Sequence, residues 1–298
     1  MIDALWLALR AAGFVVWLGA CGGALSLAVL RRQLPEPAAA LLRTRTRRAA
    51  FTGLTLVCVQ GLFEPARLAG AWDGLQEPSL WRVALASPVA LGLWLRAVGL
   101  LALLAGVARR ERAWRALALL GTLLVLGAFL VSGHTVTAAH RALLAPLLGL
   151  HVAVAAFWLG ALQAFRALSG RLAPQGLVAL LQRFSAYAVW LVPLLGVAGI
   201  GLAVALLPDA AALRRPYGLL LCLKALLFAA LLGLAALNRA RLVPALARGQ
   251  ASAHAALQRT LAAESYLITA VLIATAVLSG QFSPQEWVRV PCAFSARA

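Results

Sequence analysis

Residues 83–133 read VALASPVALGLWLRAVGLLALLAGVARRERAWRALALLGTLLVLGAFLVSG. Two apolar runs, 83–107 and 114–133, flank a knot of arginines at Arg109, Arg110, Arg112 and Arg115. A helix rises about 1.5 Å per residue, so about 20 apolar residues cross the hydrocarbon core of a bilayer. Each run is long enough, and the arginines hold the joint in water. The stretch reads as two membrane-crossing helices connected by a basic loop.

The same pattern extends in both directions. Further apolar runs cover about 4–30, 49–69, 142–165, 184–207, 216–237 and 261–280. Hydrophobic residues make up 63% of the 298, mean hydropathy is +0.91, and charged residues reach only 12%. A soluble domain carries roughly a quarter charged residues, so lipid must be the solvent of this chain. The expected fold is all-α, a polytopic bundle of about eight transmembrane helices. The first run exceeds the core of a signal peptide and lacks a basic leader, so it reads as a span.

Charge placement orients the spans. Arg31, Arg32, Arg43, Arg45, Arg47 and Arg48 follow the first run. Arg166, Arg171 and Arg183 follow the fifth, and Arg239, Arg241, Arg248 and Arg259 the seventh. With the Arg109 cluster, these loops hold most of the 27 basic residues. The other side carries Arg67, Arg82, Arg141, Arg214, Arg215, Arg289 and Arg297, beside the acids Asp73, Glu77, Asp209 and Glu286. Under the positive-inside rule the basic loops are cytoplasmic and both termini lie outside. The net charge of +18 is thereby a topology signal, and no module for nucleic acid accompanies it.

An internal duplication is suggested by Trp17-Leu18-Gly19-Ala20 in the first span and Trp158-Leu159-Gly160-Ala161 in the fifth. Arg96 and Lys224, cations within the third and seventh spans, add a weaker parallel. A four-plus-four parallel repeat would divide the chain into residues 1–135 and 136–298, as transporters often do. Chance likeness between helices rich in Leu, Ala and Gly is the competing reading.

Three of the four histidines lie close together. His134 ends the fourth span, His140 sits in a short outer loop, and His151 lies six to nine residues into the fifth span. That depth is roughly 10–13 Å. A short connection makes the two helices neighbours, so His134 and His151 are expected to face each other near the outer surface. Imidazole ligates copper, zinc and iron. An intramembrane polar group is costly without a partner or a purpose, which favours a function for His151. His140 fits a solvated loop histidine equally well, and His254 reads as incidental. Trp158 follows His151 by two helical turns and shares its face. It walls a site or packs against a neighbour.

Arg96, Lys224 and Glu64 are polar groups within spans, and Glu264 starts the last one. Such residues pair or line a water path. Arg96 or Lys224 paired with Glu64 would be structural; otherwise a conduction or relay role is expected. Lys224 is a cation and is not read as a metal ligand. Cys21, Cys58 and Cys222 lie in apolar runs without CxxC spacing and read as buried thiols. Cys292, in the tail, has no evident disulfide partner. Met1 is the only methionine, so no thioether ladder for Cu(I) exists. No P-loop, Ser-His-Asp set or carboxylate pair points to enzymatic chemistry.

From about Gly133 to Pro284 the motifs run in a definite order. Gly133-His134 is followed by His151 with Trp158-Leu-Gly, then Arg183-Phe-Ser and Tyr217-Gly-x5-Lys224. Asn238-Arg239-x2-Leu242-x-Pro244 and Leu257-x-Arg259-x4-Glu264 close the series. In this order and spacing the chain resembles the copper resistance protein D (CopD) family of bacterial inner-membrane proteins; the first half matches mainly in topology. The resemblance implies copper handling at the inner membrane, commonly beside a periplasmic copper-binding protein of the CopC type. It implies metal-binding roles for His134 and His151 only; His140 is a further candidate from its place in the outer loop alone. Trp158, Tyr217, Lys224, Arg96, Glu64 and Glu264 are then expected along the path or in its structural frame.

Three functions compete at this level. The leading one is a copper permease whose outer-side histidines capture the ion. A haem b protein for electron transfer is the second, because paired histidines on adjacent helices also hold haem. A partner that senses or delivers copper without translocating it is the third.

Overall fold

The computed structural model describes residues 2–109, 111–131, 140–207 and 210–281, and no strand occurs among them. The chain begins with α1 (Ile2–Leu30) and α2 (Glu36–Ala69). Proline fixes the entry of α2, and Gly70 closes it at φ 70° with its N–H bonded to the Arg67 carbonyl. That left-handed cap is cheap only for glycine. A short helix, α3 (Pro78–Ala86), leads into α4 (Pro88–Ala108), and α5 (Arg112–Gly127) follows the arginine knot. The second half holds α6 (Arg141–Leu168), α7 (Pro174–Leu206), α8 (Pro216–Leu237), α9 (Val243–Ala247) and α10 (Ala251–Gln281).

Among the described residues, seven helical segments are long and apolar enough to cross a membrane. The third expected span breaks at Ser87-Pro88. A residue before proline avoids the α region, and Ser87 is extended at ψ 155°. Its hydroxyl then caps α4 by accepting from the Ala90 N–H at 3.2 Å. The fourth expected span is α5, only 16 residues before the turns at Ala128–Leu130. It falls short on helix length, not on hydropathy. Three helices reach beyond the apolar runs at their arginine-rich ends. α2 begins at Glu36 where the run begins near 49; α7 begins at Pro174 and not near 184; α10 begins at Ala251 and not near 261. Helices outlast the membrane core there because their polar turns sit in water.

Arginines from two of the basic segments meet at one end of the bundle. Arg45 and Arg48 of α2 share a cavity with Arg166 of α6. Arg239 reaches the Ser185 carbonyl near the start of α7. At the opposite end, Arg10 of α1 donates to the Ser279 hydroxyl of α10 at 3.1 Å, and Arg67 of α2 stacks on Trp6.

α1 is the hub of the bundle, packed against α2, α6 and α10. Its approach to α6 is set by glycines. A methyl group at Gly22 would collide with the Ala156 carbonyl and come within 2.7 Å of the Gly160 nitrogen. Three residues away, one at Gly19 would meet the Gln163 amide at 3.0 Å. α4 and α5 meet the same way through Gly99, Gly106 and Gly121. Small residues let helix backbones touch where no hydrophobic effect drives association in lipid. Large apolar residues such as Phe51, Leu123, Trp190, Val204 and Leu226 point outward, as lipid-facing side chains do.

Candidate functional site

His151 lies on α6, ten residues into the helix, and is partly buried against α7. Its Nδ1 is 3.2 Å from the Leu195 carbonyl oxygen. A carbonyl only accepts, so Nδ1 carries the proton and donates. The neutral ring then presents the Nε2 lone pair. Fixing one imidazole nitrogen to a carbonyl to free the other is how proteins orient metal-ligating histidines. Gly199, one turn beyond Leu195, makes room for the ring: a side chain there would meet His151 Cε1 at 3.2 Å. Lys224 of α8 is partly buried and lies within electrostatic reach of His151.

Trp158, two turns along α6, is fully packed, with an edge-to-face contact to Phe228 of α8 at 6.2 Å between centroids. Its indole Nε1 is buried without a hydrogen-bond partner among the described residues. The corresponding Trp17 of α1 donates to the Gly53 carbonyl at 3.0 Å. The second tryptophan therefore carries a donor that the first has already used.

The remaining expected residues fall in three other places. Arg96 is buried on α4, its guanidinium 4.4 Å from the Trp17 ring centroid and 4.9 Å from that of Phe129. Glu64 is buried on α2. It takes two hydrogen bonds from Arg67 one turn later, Nε to Oε2 at 2.9 Å. Glu64 is thus not the partner of Arg96 or Lys224, because a local arginine reaches it first. Glu264 is buried on α10 and accepts from Asn238 Nδ2. Tyr217 is buried at the start of α8. His140 stands exposed as the N-cap residue of α6: its carbonyl accepts from the Leu144 N–H at 3.0 Å, and its side chain makes no cap bond. His134 lies outside the described residues, and among those described no three His, Cys, Asp or Glu side chains gather as a metal group.

Two residues that the sequence reading passed over hold key positions. Asn238, in a π-turn between α8 and α9, donates to Glu264 and accepts from Thr260 Oγ1 at 2.5 Å. It clasps the end of α8 to α10. The spacing of the motifs containing Asn238 and Glu264 held the only hint that they meet. Arg10 precedes Trp17 by seven residues, as His151 precedes Trp158. It stacks on Trp6 and Phe14 and interacts electrostatically with Arg96. Arg10 near Arg96 and His151 near Lys224 are thus two polar pairs, each with one member seven residues before a Trp-Leu-Gly-Ala motif.

Residues 178–278 match the family model CopD, Copper resistance protein D. The match runs from α7 to α10. It contains Leu195, Lys224, Asn238 and Glu264, and stops short of His151 and Trp158 on α6. No curated protein and no solved structure matches the chain. The match agrees with the resemblance read from the motifs over residues 178–278, and the seven apolar helices among the described residues make the chain a multi-pass membrane protein.

Proposed function

Taking the copper resistance segment as the premise, we propose that this chain carries copper across the bacterial inner membrane, with His151 as the capturing ligand on the outer side. The observation that carries the reading is the His151 Nδ1 bond to the Leu195 carbonyl. It turns Nε2 into a prepared donor, held by a residue of the matched segment. His134 and His140 are the expected companions, from the stretch of sequence that precedes α6. Copper is the cargo here, and its exchange favours few ligands over a closed cage. A periplasmic CopC-type protein would supply the ion to this face.

The duplication belongs to the same proposal. Gly22 touches Gly160, and Gly19 touches Gln163. Aligning the two Trp-Leu-Gly-Ala motifs makes Gly19 the counterpart of Gly160 and Gly22 the counterpart of Gln163. The two contacts are therefore one contact and its mirror, as a two-fold axis between α1 and α6 would generate. On this reading residues 1–135 and 136–298 are copies, and only the second has a histidine where the first has Arg10.

The test is copper accumulation in cells expressing the wild type, His151→Ala and His134→Ala, with metal and haem content measured on purified protein. Reduced accumulation in His151→Ala supports capture. Unchanged uptake in both variants removes the site. A Soret band lost in His151→Ala would replace copper with haem. Copper that binds but never enters liposomes would make the chain a delivery or sensing partner.

A further inference from the structure

A cavity of about 540 Å³ opens between α1, α2 and α6 at the arginine-rich end of the bundle. Gly19, Gly23 and Gly160 contribute to its wall, so no side chain from these positions fills it. Arg45 and Arg48 project from one face of α2, and Arg166 comes from α6. No carboxylate lines the cavity among the described residues. Arg43, on the same helix but outside the lining, pairs with Glu36. Arg166 stacks over the Tyr266 ring at 5.6 Å and has no salt bridge among the described residues.

The polar groups beside these cations are of one kind. Ser26 is 1% exposed, lines the cavity, and its Oγ has no hydrogen-bond partner among the described residues. Thr46 and Gln163 complete the set with a hydroxyl and an amide. A buried hydroxyl without a partner is costly, and a ligand oxygen would satisfy it. Three guanidiniums with hydroxyl and amide donors make a receptor for phosphate oxygens, which arginine meets in pairs. The same set repels a copper cation, so this cavity is not on the route of the proposed cargo.

We propose that this cavity binds a phosphate-bearing anion, and that its position favours the headgroup of an anionic phospholipid over free phosphate. Basic pockets between transmembrane helices at their arginine-rich ends are where acidic headgroups lodge. The inference does not depend on copper transport.

The experiment uses full-length protein in detergent. Its thermal stability is titrated with phosphatidylglycerol, phosphatidylcholine or inorganic phosphate, and retained lipid is read by native mass spectrometry. Saturable stabilisation by phosphatidylglycerol is expected, weakening about fivefold for each of Arg45→Gln, Arg48→Gln and Arg166→Gln. Ser26→Ala should also weaken it, although removing an unpartnered hydroxyl costs the fold little. Arg43→Gln should leave it unchanged. Saturation by inorganic phosphate with the same variant pattern supports the site and assigns its source to free phosphate. The proposal is overturned if neither anion saturates, if phosphatidylcholine binds as tightly, or if Arg43→Gln weakens binding as much as Arg45→Gln.

Discussion

Gly22 of α1 and Gly160 of α6 meet backbone to backbone: a methyl group on Gly160 would sit 2.5 Å from the Gly22 α-carbon. The contact joins the two halves of the chain at the centre of the bundle, next to Trp158 and the phosphate cavity. Any side chain at either position forces the helices apart. Gly22→Val and Gly160→Val are expected to destabilise the protein by about 3 kcal/mol or more. Gly233→Ala, where nothing lies within 4 Å, should be neutral. Thermal unfolding in detergent reads the difference, and equal effects at Gly233 and Gly160 would deny the close approach.

The Asn238 clasp makes a second prediction. Asn238→Ala leaves the Glu264 carboxyl buried without its donor and should cost about 1–3 kcal/mol. Glu264→Ala in that background should add little, since both changes remove one interaction. Fully additive losses in melting temperature would show that the two residues act apart.

Gly199 tests the orientation of His151 without touching the imidazole. Gly199→Ala puts a methyl 3.2 Å from His151 Cε1, so the ring must give by a few tenths of an ångström, which weakens its 3.2 Å bond to the Leu195 carbonyl. Copper affinity should fall about tenfold, the usual scale for losing a histidine's orienting bond. The melting temperature should hold. Copper binding at wild-type strength would mean that the bond to Leu195 serves packing alone.

Lys224 opposes any cation bound at His151. Lys224→Met should tighten copper binding about tenfold, the effect of removing one nearby charge from a partly buried site. Lys224→Arg should not. Weaker binding in the methionine variant would make the lysine a positive contributor and require another role for it.

The two ion pairs on α2 should differ in worth. Glu64 is 5% exposed and Arg67 29%, against 52% for Glu36 and 21% for Arg43. Glu64→Gln leaves Arg67 facing Arg10 with only the more distant Asp3 as a counter-charge among the described residues and should cost about 2 kcal/mol. Glu36→Gln should cost below about 1 kcal/mol. The comparison is again a pair of unfolding curves in one detergent.

Much of this architecture is legible in the chain because lipid imposes one-dimensional rules. A span must be apolar over a set length, and arginines must stay in water, so hydropathy and charge locate the helices and sort their ends. That logic placed Arg45, Arg48 and Arg166 at one end long before any contact was visible. It placed helix ends less well. Ser87-Pro88 splits a run that hydropathy reads as continuous, and α5 stops short, because backbone geometry rather than apolarity ends a helix.

Side-chain partnerships were beyond such rules. Composition leaves Glu64 free to meet any intramembrane cation; Arg67 reaches it because it is one turn away on the same helix. Asn238 and Glu264 are 26 residues apart and meet only once α8 and α10 pack. The sequence by itself determined a helical membrane bundle, its basic end, and three histidines near the other. Only the tertiary structure decided that His151 spends Nδ1 on Leu195, that Arg10 shares the register of His151, and that Gly22 rests on Gly160. Those relations depend on which faces of helices meet, and helix faces in lipid are chosen by shape and by a few hydrogen bonds, which hydropathy does not record.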